Sequence, residues 1–217
     1  MQTVSLIYLE QVMKVPPGIS KWIGPIPFQL SALIGLQVWS FYSNRFGRIH
    51  ALYWGSALWI SGCLIAMSLP PISPNSPLIG FGGVEGINGI KMIILITTIL
   101  IVGFGASTAY LIPWSLLPDA IDSDPDKPAG LYTAWMVLIQ KLGIGISVQL
   151  LGLLLSLAGY KSSMQCINAI NCVEQPTSAH LTIRICMGLI PAILVTLGLR
   201  VVKNWPAKIE IIGNSDS

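Results

Sequence analysis

Residues 129–157 read AGLYTAWMVLIQKLGIGISVQLLGLLLSL, a long apolar run interrupted by a single charge, Lys141. A hydrocarbon core of about 30 Å is crossed by roughly 20 such residues in a helix, so this segment is read as a membrane span. Lys141 lies about twelve residues in. At 1.5 Å per residue that is roughly 18 Å along the axis, near mid-depth. A cation there is costly in lipid and too central to snorkel easily, so it requires a partner, a cavity or a ligand.

Working outward, the same composition holds along the chain. Of 217 residues, 53% are hydrophobic and 10% charged, with a mean hydropathy of +0.71. Soluble domains carry about a quarter charged residues, so the expectation is an all-α integral membrane protein with the lipid bilayer as its surroundings. The apolar content excludes disorder, and a net charge of +3 spread over such a body gives no expectation of a nucleic-acid partner. Further spans are expected at about 21–42, 50–69, 91–113 and 181–202, with 129–158 as the central one. Together they form a bundle over 1–203, followed by a cytoplasmic tail at 204–217. Residues 1–15 are too few to cross and contain Glu10 before Pro16-Pro17-Gly18. They read as the end of a longer helix, or else as a short interfacial one.

Loop charge sets the expected topology. Arg45 and Arg48 in Ser43-Asn-Arg-Phe-Gly-Arg48 place that loop inside, which puts 70–90 and 159–180 outside and 114–128 inside. Cys63 and Cys186 fall within spans as packing residues. Cys166 and Cys172 share an outer loop whose spacing permits a disulfide without proving one. No metal-site spacing is present.

Helical periodicity adds a face to the lysine. Lys141, Gly145, Gln149, Gly152, Ser156 and Gly159 fall within an arc of about 80°, while leucines and isoleucines occupy another. Small residues admit a helix or ligand close to the backbone. Lys141 therefore either serves a transport cavity or pairs structurally with a neighbouring carboxylate. Gly103–Tyr110 is similarly rich in small and hydroxyl residues and reads as a cavity wall, a moving joint or a packing seam, with Pro113 and Pro118 bending or ending the helix. Four carboxylates follow within 119–126. They lack the glycine and closing glutamate of a calcium loop, so helix capping or pairing with loop arginines is expected, with Asp119 nearest the span. Enzymatic motifs are missing, and the two histidines, His50 and His180, lie at span edges.

Two stretches carry a resemblance. Residues 43–48 resemble the loop motif of the major facilitator superfamily, with Asn44 replacing the acidic residue and Ile49 the second base. Leu111-Ile-Pro-Trp-Ser-Leu-Leu-Pro-Asp-Ala-Ile-Asp122, then Lys141, then Leu157-Ala-Gly-Tyr160, resemble the tenth and eleventh helices of the melibiose-permease-like glycoside–pentoside–hexuronide cation symporters. Met136 and Val137 stand where sugar carriers of that family place polar residues. The wording around Pro113–Asp119 and at Gln175-Pro176 looks more like the sodium-dependent lysolipid branch.

This resemblance implies a C-terminal six-helix half of a major facilitator fold with an incomplete first helix, in the plasma membrane. It implies a half or split form of a symporter coupled to Na⁺ or H⁺, whose main cation site belongs to an N-terminal half. A glycoside or lysolipid would be the small-molecule substrate. Lys141 and Tyr110, with Gly145 and Gln149, would line the cavity, and Asp119, Asp122, Arg45 and Arg48 would form a cytoplasmic gate. A partner half or second copy would be needed. The rival expectation is a non-transporting multi-pass scaffold or inactive remnant.

Overall fold

The computed structural model describes residues 2–13, 15, 17–71, 87–125, 129–160 and 175–203, and every regular element among them is helical. A short helix α1 (Gln2–Ile7) runs into a π-helical turn at Tyr8–Val12. The helices α2 (Pro17–Ile23) and α3 (Pro25–Phe46) follow, then α4 (Arg48–Ser68) and α5 (Ile87–Asp122). Last come α6 (Ala129–Leu157), α7 (Thr177–Met187) and α8 (Leu189–Lys203). Four stretches among the described residues are long and apolar enough to cross a membrane: α4, α5, α6, and α7 with α8 taken together. The helix α3 has the length but carries Gln29, Ser31, Gln37, Ser40 and Ser43 and is more polar.

Prolines explain the breaks. The span expected at 21–42 is divided at Gly24, because Pro25 and Pro27 have no N–H to give the carbonyls four residues back. Pro191 likewise leaves Met187 without its helical donor, and the last span is divided at Gly188. Gly188 is also squeezed against α4: a Cβ there would lie 2.7 Å from Met67 Cβ and 2.9 Å from the Cys63 carbonyl. In contrast, Pro113 and Pro118 do not end α5, which continues to Asp122 through a stretch expected to be loop.

The core has two parts. Near one end Tyr8, Leu9, Val12, Met13, Leu69, Leu95, Leu155 and Ile183 pack together. Nearer the α3–α4 connection, Trp39, Ala51 and Ile112 pack with Phe104, Tyr42 and Leu116 around them. The helix α5 lies between α3 and α4 and touches both along much of its length. The reason is Gly103–Thr108. A Cβ on Gly103 would meet the Phe28 carbonyl at 2.6 Å, and one on Gly105 would meet the Trp59 amide nitrogen at 2.5 Å and the Gly55 carbonyl at 2.7 Å. Of the three readings open for this segment, the packing seam is the one observed. Ser107 and Thr108 are buried and donate to the Phe104 and Gly105 carbonyls within α5.

The carbonyl end of α4 is closed by side chains from three places. Ser68 Oγ donates to the Ile65 carbonyl, Tyr8 Oη to that of Ala66, and Arg184 Nη1 to that of Met67 at 3.0 Å. These are among the four carbonyls a helix end leaves without an internal donor, and an arginine there also meets the negative end of the helix dipole. The Cys166–Cys172 pair and the tail at 204–217 lie outside the described residues, as does most of the 70–90 loop.

Candidate functional site

The α3–α4 connection is one residue long. Gly47 has φ +96° and ψ +147°, a region open essentially to glycine alone, and its N–H closes α3 onto the Ser43 carbonyl at 2.9 Å. Arg48 thereby becomes the first residue of α4. Its guanidinium donates to the Ser115 carbonyl at 3.0 Å and forms an ion pair with Asp119. Both partners are reachable only because α5 remains helical past Pro113: Ser115 and Asp119 are four residues apart and so share a face. The side chains are 34% and 22% exposed, half-buried at the mouth of the bundle.

The other two residues expected beside them behave differently. Arg45 is exposed, with its guanidinium 5.6 Å from the Phe46 ring centroid. Asp122 is exposed in the last turn of α5. Asp124 accepts the Tyr132 hydroxyl at 3.0 Å, so part of the acidic cluster fastens the start of α6. Tyr132 carries no motif that marks it as a partner. Its position one turn into a helix that follows an acidic loop was the available signal.

The helix α6 is held at its two ends. Tyr132 secures the first turns. At the other end Leu155 is buried in the core, Gly159 (φ +75°) reverses the chain, and the Tyr160 N–H returns to the Leu155 carbonyl at 2.9 Å. Ser178 Oγ adds a bond to the Ala158 carbonyl at 2.8 Å. Burial, with the Glu10 carboxylate nearby, raises the Tyr160 hydroxyl above its usual pKa.

Between these anchors, residues 137–150 are exposed on every side. Lys141, Gly145 and Gln149 lie in this stretch. Nothing stands within 4 Å of the position a Cβ would take on Gly143, Gly145 or Gly152. No carboxylate among the described residues pairs with Lys141. Tyr110 is also open, at 58% exposure, three residues beyond buried Ser107 on the same helix. The seam thus closes around Gly103–Thr108 and leaves Tyr110, farther along α5, open.

Chemically, the bare face offers one ammonium, one amide and close backbone approach, without a metal-ligating cluster among the described residues. An ammonium and an amide on a small-residue surface can hold an anionic or polar group close to the backbone.

The comparisons agree with this architecture. Residues 1–204 match the family described as MFS/sugar transport protein. An uncharacterized symporter of Synechocystis is 29% identical over 182 residues, covering 82% of this chain and 30% of that protein. The sodium-dependent lysophosphatidylcholine symporter 1-A of Danio rerio is 28% identical over 82% of this chain and 29% of its own length. A sphingosine-1-phosphate transporter of Xenopus tropicalis is 22% identical over 82% of this chain and 30% of that protein. No solved structure matches the chain. The chain thus spans about 30% of the length of the curated relatives it matches. A helical chain with membrane-crossing helices, matched from residue 1 to residue 204, belongs to the MFS/sugar transport family, whose members are multi-pass membrane transporters.

Proposed function

We propose that the chain acts as the C-terminal half of a cation-coupled symporter that moves an amphipathic lipid, with a glycoside as the second substrate class, by alternating access. The observation that carries this reading is the uncovered face of α6, where Lys141 stands near mid-span with no carboxylate partner among the described residues. An uncompensated cation at that depth is expensive in lipid, so the face belongs against an aqueous cavity shared with an N-terminal six-helix half or a second copy. The scaffold reading would instead have Lys141 paired within its own bundle.

In this mechanism Lys141 holds the polar or anionic end of the substrate, while Gly145 and Gln149 shape the wall and Tyr110 supplies an aromatic contact and a hydroxyl. Substrate sites of such carriers lie between two halves that rock around them. The Arg48–Asp119 pair would hold the start of α4 to the end of α5 as a cytoplasmic contact that breaks during alternating access, and Arg45 and Asp122 flank it. Coupling to Na⁺ or H⁺ would rest mainly on carboxylates of the other half. The lysolipid preference rests on the names of the relatives and on Met136 and Val137, which offer no hydrogen bonds for a sugar.

The test is uptake by cells producing this chain together with an N-terminal six-helix half. Labelled lysophosphatidylcholine and a labelled glycoside are offered with and without Na⁺. Lys141→Ala is expected to abolish uptake while both halves remain in the membrane. Unchanged Na⁺-dependent uptake by that variant would remove Lys141 from the mechanism.

A further inference from the structure

One face of α8 forms a shallow open groove of about 290 Å³ lined by Ala192, Ile193, Thr196, Leu197 and Arg200. Its floor is apolar, because the one hydroxyl present, Thr196 Oγ, is occupied by the Ala192 carbonyl at 2.7 Å. The groove ends on a guanidinium. Lys203 stands three residues beyond Arg200, close enough on a helix to share its face. Both cations are exposed in the last turn, and no carboxylate among the described residues pairs with either. Ala192 is buried against the bundle while Ile193, Thr196, Leu197 and Arg200 are exposed, so the groove runs along the rim of α8's contact with the core and opens outward from it. The helix α8 packs on α4, and α4 begins at Arg48, which is paired with Asp119, so at the end assigned to the cytoplasm Arg200 and Lys203 are the cations left for a ligand on this face.

We propose that this groove binds an anionic phospholipid of the cytoplasmic leaflet, its phosphate held by Arg200 and Lys203 and one acyl chain lying along Ala192–Leu197. The argument is one of matched shape and charge. A guanidinium offers paired donors that fit two phosphate oxygens, and a neighbouring ammonium adds a second positive charge. Two full charges outweigh the half-unit negative end of the α8 dipole. Ordinary snorkelling would bring both side chains to the headgroups without any groove. An apolar trough of fixed register leading to them is what turns general attraction into a site. This inference is independent of what the protein transports.

The experiment uses the full chain in nanodiscs of phosphatidylcholine, titrated with phosphatidylglycerol and read by native mass spectrometry of retained lipid. Saturable retention of one phosphatidylglycerol is expected, with no equivalent for phosphatidylcholine. Juxtamembrane cations contribute about 1 kcal/mol each toward anionic lipid, so Arg200→Gln and Lys203→Gln should each weaken retention about five-fold. Thr196→Trp, at an exposed position, keeps both charges and fills the trough, and it should weaken retention to a similar degree. Equal retention of both lipids would overturn the proposal. So would a Thr196→Trp variant that binds normally, which would mean unshaped surface attraction, or full competition by millimolar inorganic phosphate, which would mean a soluble-anion site.

Discussion

At the scale of single residues, Gly47, Arg48 and Asp119 form a chain of dependence. The backbone conformation at Gly47 sets where α4 starts, and that start aims Arg48 across to α5. Gly47→Ala forces a side chain into a region that costs about 1–3 kcal/mol. Thermal unfolding in detergent should show a loss of that size, with Arg48 displaced. The ion pair itself is half-exposed, so its coupling should be small, about 1 kcal/mol or less. A double-mutant cycle of Arg48→Gln and Asp119→Asn measures it, and coupling that survives 1 M salt undiminished would contradict a partly solvated pair. The arginine-containing loop and the acid after the span were both legible in sequence. That such acids pair with loop arginines was legible too, but which arginine meets which acid was not, because the Arg48–Asp119 contact depends on α5 remaining helical beyond two prolines.

At the scale of elements, the glycines of α5 and α6 look alike in sequence and differ in the fold. Gly105 lies against the α4 backbone, whose amide and carbonyl groups cannot retreat without breaking helical bonds. Gly105→Ala should therefore destabilise the chain by about 1–3 kcal/mol, as overpacking does. Gly145 meets nothing. In the chain alone, Gly145→Ala should raise helix stability by up to about 1 kcal/mol, while in the assembled carrier it should lower uptake or association with the other half. Melting temperature and uptake of the same two variants test this contrast. If Gly145→Ala left both assembly and uptake unaffected, the face would have no close neighbour.

At the scale of the whole molecule, the dominant feature is surface without a partner. Residues 137–150 of α6 are bare, and so are Tyr110, Trp114 and much of α8. Lipid covers apolar side chains at little cost, whereas an ammonium turned to it at depth is costly. Co-purification should therefore show this chain associating with an N-terminal six-helix half, and added substrate should protect Lys141 in that complex from water-soluble amine-reactive reagents. Labelling unchanged by substrate would place Lys141 outside the cavity.

Sequence alone determined the membrane class, the main apolar segments, the place of Lys141 within one of them and the family resemblance, because each follows from local composition, length or contiguous motif. It also found both small-residue faces, since helical periodicity is a property of the segment itself. Only the tertiary structure decided which face is filled. Gly103–Thr108 is closed by α3 and α4, and the Lys141 face is left open, because contact across the bundle depends on helices distant in the chain. The same reason explains the end of α4, where Tyr8 and Arg184 meet carbonyls 58 and 117 residues away. A periodic pattern specifies that a face exists; the neighbour that covers it is a matter of packing.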